Sequence, residues 1–427
     1  MDAVERVRRA FARIAEVERP EVWIELRAQD EVEAEAAAID PGLPLAGAVL
    51  AVKGNFDVAG LRTTAGCPSY GRVAGADAPA VARLKGAGAV VLGTTNMDQF
   101  ATGLVGTRSP HGAVRNAVDP AYVSGGSSSG SAVAVALGIA DLAVGTDTAG
   151  SGRIPAAFNG IVGLKPTHGL VPADGVVPAC RSLDCVSVFA RTLDEAHRAL
   201  GILAARPIAP RPRRPGPWRV AVPAATRDLG AMPPGWGDAY ASAARSLRTD
   251  LLPIDVSPFL EAGDLLYGGA FIAERYTAVG AFITERLAAL GARIAEQSTA
   301  DGAPDLDPTV ASIVAAASDI PAYRLFSDRE RLAELRAAAM HALGEADVLL
   351  LPTAPFHPTI AEVKADPVGV NARLGRFTNS TNLLGMASIA VPHGQVDGRP
   401  FGVMLLGHPG SDDHLAAIAS ALPPTAA

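Results

Sequence analysis

Two loops built almost wholly from small polar residues flank one short apolar helix in this chain, and few architectures accept that arrangement. VSGGSSSGS occupies residues 123–131 and GTDTAGSGRIP residues 145–155. Between them, residues 131–137 read as an Ala/Val/Leu helix and residues 141–144 as a short buried strand. Loops of glycine and serine bury little apolar surface, so a packed scaffold must hold them. The sequence upstream supplies one. The run LPLAGAVLAV (43–52) fits a buried strand ending at Lys53-Gly54-Asn55. Asp77-Ala78-Pro79 reads as a helix start, with Asp77 as cap and a proline in the first turn. That helix runs to Gly86 or Gly88, and AVVLGTT (89–95) is a further strand. Strand, helix and strand at this spacing predict an α/β layer architecture, with the two polar loops forming a site at the sheet.

Composition narrows the class. In 427 residues, 37 Lys+Arg against 44 Asp+Glu give a net charge of -7, which offers no support for a nucleic-acid surface. An apolar share of 49% with 19% charged residues is that of a folded domain rather than a disordered chain. No run reaches the roughly 18 apolar residues of a membrane helix. The first residues mix charges with apolar positions and show no signal-peptide h-region. Three cysteines, Cys67, Cys180 and Cys185, are too few for a disulfide scaffold, and a reducing cytoplasm is the expectation.

Residues 1–40 form one or two amphipathic helices, with Val4, Val7, Phe11, Ile14, Trp23 and Leu26 on apolar faces. The proline-rich stretch 204–217 is a surface connection within one large unit spanning 1–427. Residues 218–223 form a strand, and helical patterns fill 236–247, 263–290 and 328–343. ADVLLLPTAP (346–355) and MASIAVPHG (386–394) are buried strands ending in loops.

The eight histidines show no metal-ligand spacing, and Cys180 and Cys185 alone cannot make a structural zinc site; packing is their simpler reading. The glycine loops contain neither GxxxxGK[ST] nor GxGxxG, which argues against a nucleotide. No metal or cofactor is expected. What remains is serine in glycine-rich loops and a lysine in an apolar setting. Only four lysines occur, Lys53, Lys85, Lys165 and Lys364, and an ammonium can lose its proton where a guanidinium cannot. Ten uncharged residues precede Lys53. Burial would lower its pKa and let it act as a base, whereas the bland reading is a solvated lysine at a strand end. Ser127 and Ser151 are candidates for proton path and nucleophile, against the alternative of turn and cap serines. The small residues before Ser151 can converge their N–H groups into an anion pocket.

The ordered set AVKGNFDVAG, TTAGCPSY, GTTNMDQFATG, GGSSSGSAVAVALG, GTDTAGSGRIPAAFNGIVGLKPTHG and TNLLGMASIAVP resembles the amidase signature family, over residues 40 to 415. The resemblance implies a central mixed β-sheet surrounded by α-helices and a Ser-cisSer-Lys triad. By motif position Lys53 matches the base, Ser127 the bridging serine after a cis peptide, and Ser151 the nucleophile. Thr148, Ala149 and Gly150 match the segment whose amides form the oxyanion hole. Lys165 would be structural and Lys85 a solvated charge.

The stretch GVVPACRSLDCVSVFA and the helix LLYGGAFIAERY are most similar to the allophanate hydrolase branch of the family. There Tyr267 and Arg275 match the pair that grips a small anionic ureido substrate, and an i,i+8 spacing sets them two turns apart on one helix. The alternative for Arg275 is an exposed ion pair with Glu274. Gly152 departs from the Ile that commonly follows the nucleophile in the family. The branch implies serine-dependent release of ammonia from allophanate in urea degradation, a homodimer, and a biotin-dependent urea carboxylase as pathway partner. Its members often continue into a smaller C-terminal decarboxylation-type domain, which is not expected here after ALPPTAA. Carboxybiuret hydrolase, a general amidase and the amidotransferase of glutaminyl-tRNA synthesis are the alternatives. A non-enzymatic binding module requires Lys53, Ser127 or Ser151 to be misplaced.

Overall fold

The structure, a computed structural model, describes residues 1–204, 216–295 and 305–422. Its strands are β1 (Trp23–Leu26), β2 (Val49–Lys53), β3 (Arg62–Thr63), β4 (Arg72–Val73), β5 (Val90–Thr95), β6 (Leu142–Asp147) and β7 (Val162–Lys165). The later ones are β8 (Cys185–Ala190), β9 (Arg219–Pro223), β10 (Asp250–Ile254), β11 (Val348–Pro352), β12 (Ala387–Val396) and β13 (Arg399–Gly407). Among the described residues, eleven of them form one sheet in the order β1-β5-β2-β6-β8-β7-β12-β13-β11-β9-β10. β5, β2 and β6 run parallel, as do β11, β9 and β10, and the pairings between these two blocks are antiparallel. The fold is α/β, with helices on both faces of a mixed sheet.

Both faces of β2 are covered, which is why its sequence is apolar without alternation. Leu50 and Val52 join the larger core with Val91, Val144 and Val188. Val49 and Ala51 join a second core with Val90, Leu92 and the helix Ser129–Ala136. Side chains alternate across a strand, so Lys53 falls on the face of Val49 and Ala51, toward that helix. The helix is buried all round, as an Ala/Val sequence with no polar stripe requires. Gly130 in its first turn has no room for a side chain: a Cβ there would stand 2.3 Å from the Val22 carbonyl.

Four sequence expectations need correction. Trp23 and Leu26 lie in an edge strand, not in a helix of residues 1–40: β1 pairs antiparallel with β5, and a Cβ on Gly93 would meet the Glu25 carbonyl at 2.2 Å. The helix Ala3–Val17 ends at Glu18 in a left-handed conformation, and Pro20 prevents its continuation. Asp77 does not cap the helix Pro79–Gly86, which starts at Ala78 with no side-chain cap. Its carboxylate instead accepts from the Ala59 amide and from Lys85 Nζ at 2.8 Å, so Lys85 is an ion-paired rather than a free charge. The helical pattern at 263–290 breaks at Gly268-Gly269 into Ser257–Gly268 and Ala273–Ala295, joined by a 3-10 turn whose Ala270 amide donates to Asp328. Residues 205–215 of the proline-rich stretch lie outside the described residues.

Gly130→Ala is expected to destabilise the protein by about 1–3 kcal/mol, because backbone rather than a flexible side chain blocks the new methyl. Denaturant unfolding beside the parent protein measures this; an unchanged midpoint means the helix can shift at no cost.

Candidate active site

The carboxyl ends of parallel strands are where open α/β sheets assemble sites. Here β2 ends at Lys53, β5 at Thr95 and β6 at Asp147, side by side. The serine-rich loop crosses this edge, and its serines divide the work. Ser128 Oγ donates to the Thr146 carbonyl, Ser129 Oγ to the Asn96 carbonyl and Ser131 Oγ to the Val144 carbonyl. Those three are anchors. Ser127 is left to face Lys53.

Lys53 is fully buried, and its Nζ donates to Ser127 Oγ at 2.8 Å and to Thr146 Oγ1 at 2.7 Å. The solvated reading of this lysine therefore fails. Loss of water lowers its pKa to about 7, against the attraction of Asp98, Asp184 and Asp147 and with the repulsion of Arg275. The Gly126–Ser127 peptide is cis. A Cβ on Gly126 would stand 2.0 Å from Asp98 Oδ2, so only glycine fits before Ser127. Asp98 in turn accepts from the Val105, Gly106 and Arg108 amides, and its own amide donates to the Ser127 carbonyl at 3.2 Å.

The second loop is organised by an ion pair that the sequence reading missed. Arg153 and Asp147, both fully buried, meet side-on, with Nε to Oδ2 and Nη2 to Oδ1 each 2.9 Å. Arg153 also donates to Thr381 Oγ1, the Thr378 carbonyl and Asn382 Oδ1. Burial acts to raise the Asp147 pKa, but Arg153 outweighs it and holds the carboxyl below its ordinary value. Asp147 accepts from the Gly150 and Gly152 amides as well, closing the loop around Ser151. Two opposite charges six residues apart, in a loop otherwise of small uncharged residues, were the available signal.

Ser151 is buried on this loop, and among the described residues its Oγ takes part in no hydrogen bond. The resting structure thus makes the contact between Lys53 and Ser127 but not one between Ser127 and Ser151. Of the three amides expected to make an anion pocket, Gly150 already donates to Asp147. The Thr148 and Ala149 amides are unengaged among the described residues. Gly150 has φ +125, and a Cβ on it would meet Thr378 Oγ1 at 2.3 Å, so glycine is required by both backbone and space.

Tyr267 and Arg275 sit on separate helices yet meet: Arg275 Nη2 donates to the Tyr267 hydroxyl at 3.2 Å. Arg275 Nη1 donates to Thr102 Oγ1 and the Ala101 carbonyl. Arg275 is 1% exposed and makes no ion pair among the described residues. Glu274 instead accepts from the Ser182 amide and hydroxyl, so the exposed-pair alternative for Arg275 does not hold. Tyr267 lines a cavity of about 540 Å³ with Arg108, Asn371 and Arg324.

Two further sequence candidates, Lys165 and Cys180, are buried. Lys165 is buried and donates to the Pro166 carbonyl and Cys185 Sγ. Cys180 is buried, which pushes its thiol up to about 12. Among the described residues no group of His, Cys, Asp and Glu is arranged to hold a metal ion, and no helix is long and apolar enough to cross a membrane.

The amidase family model matches residues 5–416. Urea amidolyase of Lachancea kluyveri is 43% identical over 396 residues, covering 88% of this chain but 21% of that protein. The chain therefore spans about a fifth of that curated relative's length. The solved allophanate hydrolase of Kluyveromyces lactis superposes with a TM-score of 0.88 at 37% identity, over 99% of this chain and 70% of that one. A glutamyl-tRNA(Gln) amidotransferase chain of Symbiobacterium thermophilum is 34% identical, covering 98% of this chain and 92% of that protein.

Turnover that depends on neutral Lys53 as a base should rise with pH through about 7 and level off above it. Lys53→Arg keeps the charge but cannot deprotonate and is expected to be inactive throughout. The pH–rate profile from about 5 to 9 checks both; a flat profile contradicts a lysine base.

Proposed function

Because the chain belongs to the amidase family, we propose that it hydrolyses a linear amide through Lys53, Ser127 and Ser151, and that the amide is the terminal one of allophanate. The observation that carries the reaction type is the buried Lys53 amine in contact with Ser127 Oγ. With the amine neutral, the Ser127 hydroxyl donates to it and can accept the Ser151 proton in turn. The link from Ser127 to Ser151, open at rest, closes when substrate is bound, as catalytic hydrogen bonds often do. Ser151 Oγ attacks the amide carbon, and the Thr148 and Ala149 amides stabilise the oxyanion. Ammonia leaves with a proton returned along the relay. Water then cleaves the acyl-serine to a dicarboxylated nitrogen species, which breaks down to ammonia and carbon dioxide.

Substrate class follows from Arg275. A buried guanidinium without a carboxylate partner favours an anion, and the fork can hold one bidentately while Tyr267 donates to the ureido end. The similarity to allophanate hydrolase supports the same substrate. On this reading the protein acts in the cytoplasm, as a homodimer, on the product of a biotin-dependent urea carboxylase.

Ammonia release from allophanate, carboxylated biuret, malonamate and an aryl amide, compared side by side, tests the assignment. Allophanate is expected to have the highest kcat/KM. Ser151→Ala should abolish turnover of all four. Arg275→Lys should cut allophanate turnover by roughly 10-fold or more and spare the uncharged amide; equal loss on both makes Arg275 structural.

A further inference from the structure

Strand register brings one more buried acid to the reacting loop. β6 and β8 pair antiparallel with Asp147 opposite Cys185, so the next residues along, Thr148 and Asp184, also face each other. Thr148 Oγ1 donates to Asp184 Oδ1 at 2.5 Å. The same carboxylate closes its own loop, with Oδ2 accepting from the Ala179 amide at 2.9 Å and Oδ1 from the Cys180 amide at 3.2 Å. The neighbouring Leu183 carbonyl accepts from Asn382 Nδ2, which also donates to the Asp147 carbonyl. Asp184 is 7% exposed and makes no ion pair among the described residues, so its oxygens are satisfied by Thr148 and two amides. Two of those contacts are to backbone amides, and the third is to the side chain of Thr148.

We propose that Asp184 is a positioning residue that fixes Thr148, and through it the amides ahead of Ser151, by this hydroxyl–carboxylate hydrogen bond. The proposal rests on the reading that those amides receive the oxyanion. Thr148 has no side-chain partner besides Asp184 among the described residues. Without it, the residue is free to rotate its peptide away from the point where negative charge develops. A donor misaligned only for the oxyanion weakens the transition state and leaves substrate binding alone.

The test is steady-state kinetics of Thr148→Val, Thr148→Ser, Asp184→Asn and the double variant Thr148→Val/Asp184→Asn, on allophanate and on a neutral aliphatic amide. Thr148→Val should lower kcat roughly 10- to 100-fold with KM within about threefold. Thr148→Ser, which restores the hydroxyl, should return kcat to within about threefold of the parent. The double variant should be no slower than Asp184→Asn alone, because both changes remove one interaction. An unchanged kcat in Thr148→Val, a failure of Thr148→Ser to restore it, or losses that multiply in the double variant would overturn the proposal. If the parent ignores allophanate but turns over the neutral amide, the substrate assignment fails and the same comparison is read on the neutral amide.

Discussion

An amine kept out of water is the constraint on which this structure turns. Lys53 ends a central strand covered on both faces, so its ammonium form would sit without solvent in the interior. The surroundings do not neutralise it by direct contact. Its hydrogen-bond partners are the hydroxyls of Ser127 and Thr146, and Asp98, Asp147 and Asp184 act on it from a distance. Each of those carboxylates is committed elsewhere, to loop amides, to Arg153 or to Thr148. The balance leaves the amine near 7, where it can change protonation during a reaction cycle.

The two polar loops depend on the same economy. Each is tied by buried acids: Asp98 holds the turn at 105–108 and the Ser127 carbonyl, and Asp147 with Arg153 holds the turn around Ser151, with Asp184 on Thr148. Glycine stands where a side chain would collide with Asp98, at Gly126, and with Thr378, at Gly150. Small residues at these two positions therefore reflect close approach of backbone to packed polar side chains more than a need for flexibility.

Much of this was legible in the sequence because it depends on local composition. The buried strands around Lys53, the Gly/Ser loops and the uncharged run before Lys53 are all local signals, and the order of motifs carried the family resemblance. Elements that depend on distant partners were less legible. Trp23–Leu26 is four residues long, too short to show a period, and is a strand because β5 offers Gly93 opposite it. Tyr267 and Arg275 pair as the sequence suggests, but not along one continuous helix; Gly268-Gly269 breaks it, and the tertiary fold restores the contact. Asp184 and the use of the Gly150 amide by Asp147 appear only when strand register and loop closure are known.

The most direct measurement of the central claim is the titration of the lysine side chains by NMR. Four lysines make the spectrum assignable, with Lys53→Arg identifying its signal. Lys53 should change protonation near pH 7, far below the ordinary lysine range. If the Lys53 signal stays that of a charged amine up to about pH 9 or above, the account of a neutral base built by burial is contradicted.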